Sequence, residues 1–341
     1  MLKNKEIAKI LGISPTAVSL ALNNRRGVSE ETRARVLELQ KYGTKANDQL
    51  WVNDEEKINK LLMIIHKSHG EIIVDKPFFS DLIESVQLGA LEYNYVLEVA
   101  HVEAADAQAY VDALNRQDYK GIILLATEMQ EAEYQIYKCL NLPFILLDGS
   151  FDFECCDSVT IGDYNDIVRA FEYAYDMGHR RIGYLRSNKS ISNFEHRYDG
   201  YQKALRLFSL EKDLSIVFKL SPNITGSYED TKKLLRELDD NYEMPTCFLC
   251  DLDYIAFGAM KAFTEAGYHI PKDISIIGFD DVAACEICTP SLTTMRVNRN
   301  DLGRITVKQL LEKVENKGDY HAQLQISSEL VIRNSVHKIE K

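Results

Sequence analysis

From Leu61 onward, short runs rich in aliphatic and β-branched residues alternate with segments of helical periodicity, and this alternation constrains the fold more than any other feature. It is the pattern of parallel sheets covered by helices on both faces. Strands are predicted at Leu61 to His66, Tyr95 to Ala100, Gly121 to Ala126, Phe144 to Leu147, Arg181 to Leu185, Ser215 to Leu220, Thr246 to Cys250 and Ile274 to Gly278. Helices fall between them, among them Asp163 to Met177 closed by Gly178 and Tyr254 to Ala266 closed by Gly267, each glycine suiting the position just past a helix end. Open sheets of this kind bind ligands at the carboxyl ends of their strands, and two lobes would enclose a cleft there. The 341 residues exceed what one core usually organises, so a small domain beside a larger bilobal one is expected.

The first forty residues read differently. Lys5 to Leu11 places Ile7, Ala8, Ile10 and Leu11 on one helical face, and Gly12 breaks the helix. Ser14 is a good N-cap and Pro15 suits the first helical position, where a missing N–H is harmless. A second helix, Pro15 to Leu22, is expected to bury Val18 and Leu22 and to leave Thr16, Ser19 and Leu20 outside. Ser29 then caps a third helix, Glu30 to about Gln40, whose Val36, Leu37 and Leu39 complete a three-helix core. Helix, glycine turn, capped short helix is the helix-turn-helix pattern, although two short amphipathic helices around a glycine also arise from packing alone.

Charge is distributed in keeping with this division. The chain carries a formal charge of −12, yet residues 1 to 50 hold nine Lys and Arg against five acidic residues, leaving the excess of acid to the body. A basic head on an acidic body suits contact with phosphate at one end. Seven cysteines, an odd number with Cys155 and Cys156 adjacent, read as reduced thiols rather than a disulfide framework. The pairs Cys247/Cys250 and Cys285/Cys288 read as buried structural thiols in preference to a zinc site. No apolar run approaches a membrane span and the first twenty residues lack a signal-peptide core, so a cytoplasmic protein is expected. No Gly-x-Gly-x-x-Gly or P-loop follows a strand, and no Ser/His/Asp set or paired carboxylate motif stands out, so neither a cofactor nor catalysis is predicted.

The segment Glu6-Ile7-Ala8, Gly12-Ile13-Ser14, Val18-Ser19, Leu22-Asn23 and Gly27 to Arg33 closely resembles the LacI/GalR repressor signature. In that family the second helix reads the major groove. The resemblance carries base reading to Pro15, Thr16 and Leu20, with Ser14, Ala17, Ser19, Asn23 and Arg33 as phosphate or backbone neighbours. Pro15 and Leu20 offer no hydrogen bond, so readout would lean on Thr16 and on apolar contact with thymine methyl groups. Family members continue into a hinge helix that wedges a leucine into the minor groove. Here Asn47 keeps the frame, Thr44 and Ala46 replace the usual tyrosine and proline, and Asn53 occupies the wedge position ahead of Asp54, Glu55 and Glu56. Either Leu50 or Trp51 serves as a shifted wedge, or the head holds DNA by itself; Trp51 reads equally well as packed against the body.

The resemblance continues through Pro77-Phe78-Phe79, Gly178 to Gly183, Arg197 with Gly200-Tyr201, Asp253 to Ala259, Pro271 to Asp280, Pro290 to Thr294 and Arg333 with Ser335. It implies a small all-α helix-turn-helix head on an α/β two-lobed, periplasmic-binding-protein-like body. The implied divisions are residues 1–45 for the head, 46–59 for the linker and 60–341 for effector binding and dimerisation. Within the body one lobe takes residues 60–160 and 293–321 and the other 161–292 and 322–341, with crossovers near residues 160, 292 and 321. Implied partners are a second copy of the chain, a near-palindromic double-stranded operator and a small-molecule effector, a sugar or sugar derivative. Effector contacts carry over to Phe78, Phe79, Asn193, Arg197 and Asp280. Taken singly, the two phenylalanines read as core and Arg197 with Asp280 as a structural ion pair. Gly162-Asp163 and Leu252 replace polar family residues, which leaves the ligand's identity open. His179, after Gly178, is expected to cap a helix end. The altered linker keeps a second reading alive: a ligand-binding protein on the same scaffold that has lost DNA recognition.

Overall fold

The computed structural model describes residues 4, 7–8, 14–23, 25, 28–29, 32–33, 36–37, 59–73, 77–115, 117–151, 154–210, 216–239, 241–316 and 320–340. The chain separates into two compact units, Met1–Ile58 and Asn59–Lys341. In the first, helix α1 (Pro15–Leu22) begins where Ser14 Oγ accepts from the Ala17 N–H at 3.1 Å and Pro15 occupies the first turn. Ser29 likewise accepts from Thr32 N at 3.1 Å. Ile7, Ala8, Val18, Ala21 and Val36 form the small core, with Leu22 and Val28 packed against it. Two sequence expectations shift. Ala21, not Leu22, is the fully buried partner of Val18, because residues three apart share a helix face. Leu37 is 45% exposed, since Val36 takes the inward position next to it. Ile10, Leu11 and Leu39 lie outside the described residues.

The second unit contains two six-stranded sheets among the described residues. The first is built from β1 (Asn59–Lys67), β2 (Tyr95–Glu103), β3 (Gly121–Leu125), β4 (Phe144–Leu147), β5 (Ser158–Ile161) and β11 (Gln323–Ile326), in the order β11-β5-β4-β3-β1-β2. Its pairings are all parallel. The second contains β6 (Ile182–Ser187), β7 (Val217–Leu220), β8 (Cys247–Cys250), β9 (Ser275–Asp280), β10 (Thr293–Arg296) and β12 (Glu329–Val331), in the order β12-β10-β9-β8-β6-β7. Only the β10/β12 pair is antiparallel. Strands β1, β3, β4 and β8 are buried along nearly their whole length, as parallel strands covered on both faces must be.

Helices α2 (Pro77–Glu92), α3 (Ala107–Leu114), α4 (Glu131–Tyr137), α5 (Asp163–Asp176), α6 (Ser192–Leu207), α7 (Ile224–Glu237), α8 (Asp253–Glu265), α9 (Ala284–Ile287) and α10 (Arg299–Asn316) connect them. Where the sequence places crossovers near residues 160, 292 and 321, the chain passes between sheets after Ile161, after Arg296 and after Ile326. The later two move because Thr293 to Arg296 and Gln323 to Ile326 are strands that their polar residues conceal. Thr294 Oγ1 donates to Asp253 Oδ1 at 2.6 Å, which satisfies the hydroxyl inside the sheet. β5, β10, β11 and β12 are the four strands missed from sequence. Each is three or four residues long and broken by polar residues, so no apolar run marks it as one marks the equally short β4 and β8.

Helix α10 leaves the second sheet and packs on the first, against α2. Ser85 Oγ on α2 lies between the carbonyls of Leu82, at 2.8 Å, and Arg299, at 2.9 Å. Gly303 faces it so closely that an added Cβ would run into Ser85 Oγ and the Val86 backbone.

His179 differs from its expected role. The end of α5 is closed by backbone, with Gly178 at φ +97°, its N–H donating to Tyr175 O and the His179 N–H donating to Ala174 O, and by the Arg180 guanidinium, which donates to Tyr175 O at 2.8 Å. The buried imidazole instead ties the carboxyl-terminal segment down. Nε2 donates to the His337 carbonyl at 3.0 Å, which leaves Nδ1 to accept from Thr246 Oγ1 at 2.9 Å. Burial is the main cause that pushes its pKa down to about 4, with only the His337 carbonyl acting the other way. Among the cysteines, Cys247, Cys250 and Cys285 are buried and burial raises each thiol's pKa, so these are inert packing residues.

Two outcomes are expected. Because the unfolded imidazole takes a proton near pH 6.5 that the native ring refuses until about pH 4, the stability due to His179 is complete above pH 6.5 and lost between 6.5 and 4. Urea unfolding of the wild type against His179→Gln should show a difference that shrinks by no more than about 3 kcal/mol over that window. Gly303→Ala should separate α2 from α10 and destabilise the body by about 1–3 kcal/mol in chemical denaturation, with α5 and the second sheet unaffected.

Candidate functional site

On the head, Ser14, Pro15, Thr16 and Asn23 are exposed, while Ala17, Ser19 and Leu20 are partly so. Thr16, Ser19, Leu20 and Asn23 lie on the side of α1 away from Val18 and Ala21, while Ser14, Pro15 and Ala17 stand at its amino end. Ser14 keeps its hydroxyl hydrogen for an outside acceptor, because its oxygen only accepts from Ala17. Asn23 Nδ2 donates to Ser19 O at 2.8 Å and closes the helix end. Arg33 is turned inward: its guanidinium donates to the carbonyls of Ala21 at 3.3 Å and Arg25 at 2.8 Å, with Leu20 O at 3.5 Å. A cation at the carbonyl end of α1 complements the helix dipole, so Arg33 holds the helix rather than reaching away from it. Asn47, Leu50 and Trp51 lie outside the described residues.

In the body, a narrow cavity lies at the carboxyl ends of both sheets, and Phe78, Phe79, Asn193, Arg197 and Asp280 all line it. Phe78 and Phe79 open α2 and stand edge to face, with centroids 5.1 Å apart, so two aromatic surfaces at 75° form one wall. Asn193 and Arg197 lie one turn apart on α6. Asp280 ends β9 with φ 111°, a conformation few non-glycine residues hold, which turns the chain at the strand's tip.

Sequence reading missed Thr127 and Asp148, which follow β3 and β4, and Tyr254, at the start of α8. Their position just after strands is the only signal that marks them. Asp148 Oδ2 accepts from Thr127 Oγ1 at 2.6 Å and Oδ1 accepts from Asn193 Nδ2 at 2.8 Å, a bond that joins the two lobes. Burial pushes the Asp148 carboxyl up to about 6, more than Thr127 and Asn193 pull it down.

Arg197 is 2% exposed and makes most of its bonds to the protein itself. Nε donates to Asp163 Oδ1 at 2.6 Å, Nη1 donates to the Asp251 carbonyl, and Nη2 stands 3.9 Å from Asp280 Oδ1. The guanidinium lies 3.6 Å over the Phe279 ring. Burial opposes its charge, but Asp163 and Asp280 outweigh burial and hold its pKa above the ordinary value. The expected pairing with Asp280 is therefore the longer contact; Asp163, at the first crossover, is the principal partner. Asp163 is itself pushed up to about 6 by burial, against the pull of Arg197. Arginines also hold the Asp280 turn from outside: Arg299 donates to its carbonyl at 2.9 Å and Arg296 Nε to Asp281 at 2.7 Å. The cavity thus gathers segments from both sheets and a crossover around aromatic walls and a carboxylate-rich floor.

Comparison with known proteins agrees with this division. Residues 4–41 match the family described as bacterial regulatory proteins, lacI family, and residues 171–336 match the periplasmic binding protein-like domain. The HTH-type transcriptional repressor PurR of Mannheimia succiniciproducens is 29% identical over 340 residues, covering 98% of each chain. Among solved structures, a transcriptional regulator CelR–cellobiose complex superposes with a TM-score of 0.73 at 18% identity, covering 98% of this chain and all of the other. A lac repressor dimer bound to operator and the anti-inducer ONPF gives a TM-score of 0.72 at 22% identity, covering 97% and 98%. No helix among the described residues is long and apolar enough to cross a membrane.

The Arg33 arrangement yields a measurable expectation. Arg33→Met, which keeps the stem and removes the donors, should loosen the end of α1 by about 1–2 kcal/mol. Amide exchange across residues 20–23 of the full-length chain should quicken, and unchanged exchange there would rule out the staple.

Proposed function

We propose that this chain, whose head matches the lacI family of bacterial regulatory proteins, is a repressor that reads a near-palindromic operator as a homodimer under control of an effector held in the cleft. The observation that carries the reading is the convergence of Phe78, Phe79, Asn193, Arg197 and Asp280, from three separate segments, on one cavity, in a chain that also presents Pro15, Thr16 and Leu20 on the outer face of α1.

In this reading Thr16 donates or accepts at a base edge, and Pro15 and Leu20 supply apolar contact to thymine methyls. Ser14, Ala17, Ser19 and Asn23 lie against the backbone, with Ser14 and Ala17 at the amino end of α1, which favours phosphate. Arg33 acts indirectly, by fixing the helix. Asn47 with Leu50 or Trp51 forms the minor-groove element. Exposed Leu88, Leu91 and Val96 on α2 and β2, with Ile224 and Ile287 on the other lobe, supply apolar surface for the second copy. A protein that binds operator DNA works in the cytoplasm, and the reading assigns no catalytic residue.

The effector is a sugar or sugar derivative. Asp148, Asp280, Asn193 and Thr127 offer hydroxyl partners, and Phe78 and Phe79 offer faces to a ring. A cellobiose complex of a protein with this fold supports the choice. Closure on the effector would change the spacing of the two heads, so ligand and operator affinity are linked.

Two measurements decide the matter. Operator selection followed by titration at two salt concentrations should give a specific site and a negative salt slope, and Thr16→Ala should lose about 1–3 kcal/mol at one base pair while leaving the slope unchanged. Absence of any preferred sequence, with ligand binding retained, would instead establish a binding protein that has lost DNA recognition. A calorimetric panel of mono- and disaccharides against nucleobases should give binding to a sugar that Phe79→Ala weakens; binding to nucleobases alone would overturn the sugar assignment.

A further inference from the structure

The two lobes repeat one device. In the first, the loop after β1 is wrapped around Glu128, three residues beyond β3, whose carboxylate is fully buried. Its Oε2 accepts from the backbone N–H of His69 at 3.2 Å and Gly70 at 2.7 Å, and Oε1 accepts from Ile72 at 2.7 Å and Ile73 at 3.1 Å. Burial would raise this carboxyl's pKa, but these amides overcome it and keep the group below its ordinary value. In the second lobe, Asp251 follows β8 and holds the end of β6, from which the next loop departs, accepting from Tyr184 Oη and from Ser187 N, each at 2.6 Å. Ser187 Oγ in turn accepts from Lys189 N at 3.0 Å.

These loops face each other across the cleft. Ile72 of the first and Ile191 of the second both line the cavity. Between them Glu71 Oε1 and Lys189 Nζ meet at 2.6 Å, a salt bridge joining loops of opposite lobes. Neither side chain reaches into the cavity wall, and both are partly exposed, so ligand contact does not account for the pair.

We propose that Glu128 is a positioning residue for the cleft: by fixing the 69–73 loop it sets Ile72 in the cavity wall and aims Glu71 at Lys189, and that pair latches the two lobes in the closed arrangement. The proposal rests on reading the cleft as the effector site, but it concerns the protein without ligand. A glutamine at 128 offers one acceptor oxygen and turns an NH₂ toward N–H donors, so two of the four amides lose their partner. An exposed ion pair shifts an equilibrium by only a few-fold, which suits a latch that must release.

The test is amide hydrogen exchange on the full-length protein, without DNA or ligand. In Glu128→Gln the amides of Gly70, Ile72 and Ile73 should exchange at least about tenfold faster while the β9 amides stay unchanged. In Glu71→Lys the 189–194 segment of the opposite lobe should exchange about threefold faster, Glu71→Lys with Lys189→Glu should restore it, and 0.5 M salt should mimic the single variant. Because Glu128 acts through Glu71, Glu128→Gln should quicken the 189–194 segment as Glu71→Lys does, and the two changes together should add nothing. Unchanged exchange at residues 70–73 in Glu128→Gln, additive effects, or no restoration by the charge exchange would each overturn the proposal. If Glu128→Gln fails to fold, the Glu71 and Lys189 variants still decide whether the latch exists. None of these outcomes bears on operator or sugar binding, so the wider functional reading stands or falls separately.

Discussion

A single buried guanidinium organises the cleft. Arg197 draws together Asp163 at the first crossover, the Asp251 carbonyl after β8 and Asp280 at the end of β9, while resting on Phe279. A charge this deeply buried is tolerable only when its donors are met, and here the partners come from three segments distant in sequence. Each partner is therefore held where the others need it. Removing the guanidinium would leave Asp163 and Asp280 without their common counter-ion in a dry site, so the cavity's geometry and its charge balance depend on the same residue. Asp148 belongs to the same system through Asn193, one helical turn from Arg197, and this bond carries the network into the other lobe.

The architecture explains why so few residues suffice. In each sheet the strand order reverses beside the first strand of the lobe, between β1 and β3 in one and between β6 and β8 in the other. Loops leaving those strands diverge and open a crevice. Thr127 and Asp148 follow strands of one sheet, Asp251 and Asp280 those of the other, and the crossovers bring the two crevices face to face. Strained backbone collects there as well: Asp148 and Asp280 both have positive φ, at 56° and 111°. Such conformations persist when neighbours over-determine them, which Arg299, Thr127 and Asn193 do.

Most of this fold was legible as alternating periodicity, and what escaped shares a cause. All eight predicted strands exist, β4 with the same limits and the others with ends moved by a few residues. The four missed strands are short and polar, and they are strands because of their neighbours: Thr293 accepts from Arg333 N and β11 pairs with β5. Local pattern cannot report a partner 40 residues away, as Arg333 is from Thr293, still less one across the chain, as β5 is from β11. The same limit governed the site. Resemblance brought Phe78, Phe79, Asn193, Arg197 and Asp280 to attention, but Asp163 as the main partner of Arg197, the inward turn of Arg33 and the amide shell of Glu128 are facts of three-dimensional approach. The Glu128 carboxylate is held by four backbone amides, with the His69 imidazole 3.5 Å away as its side-chain neighbour among the described residues, so the identities of the residues around it carry little trace of it.

The charge of the cleft narrows what it can hold. Among the described residues, Arg197 is the cationic side chain lining the cavity, and its nitrogens already face the carboxylates of Asp163 and Asp280 and the backbone carbonyl of Asp251. An anionic ligand would have to compete with those carboxylates for the guanidinium while lying near Asp148 and Asp280, and in a dry site that repulsion is poorly screened. A neutral ligand bearing several hydroxyls meets the opposite situation. Each hydroxyl can donate to a carboxylate oxygen that has capacity left, and the ring carrying them can lie against Phe78 or Phe79.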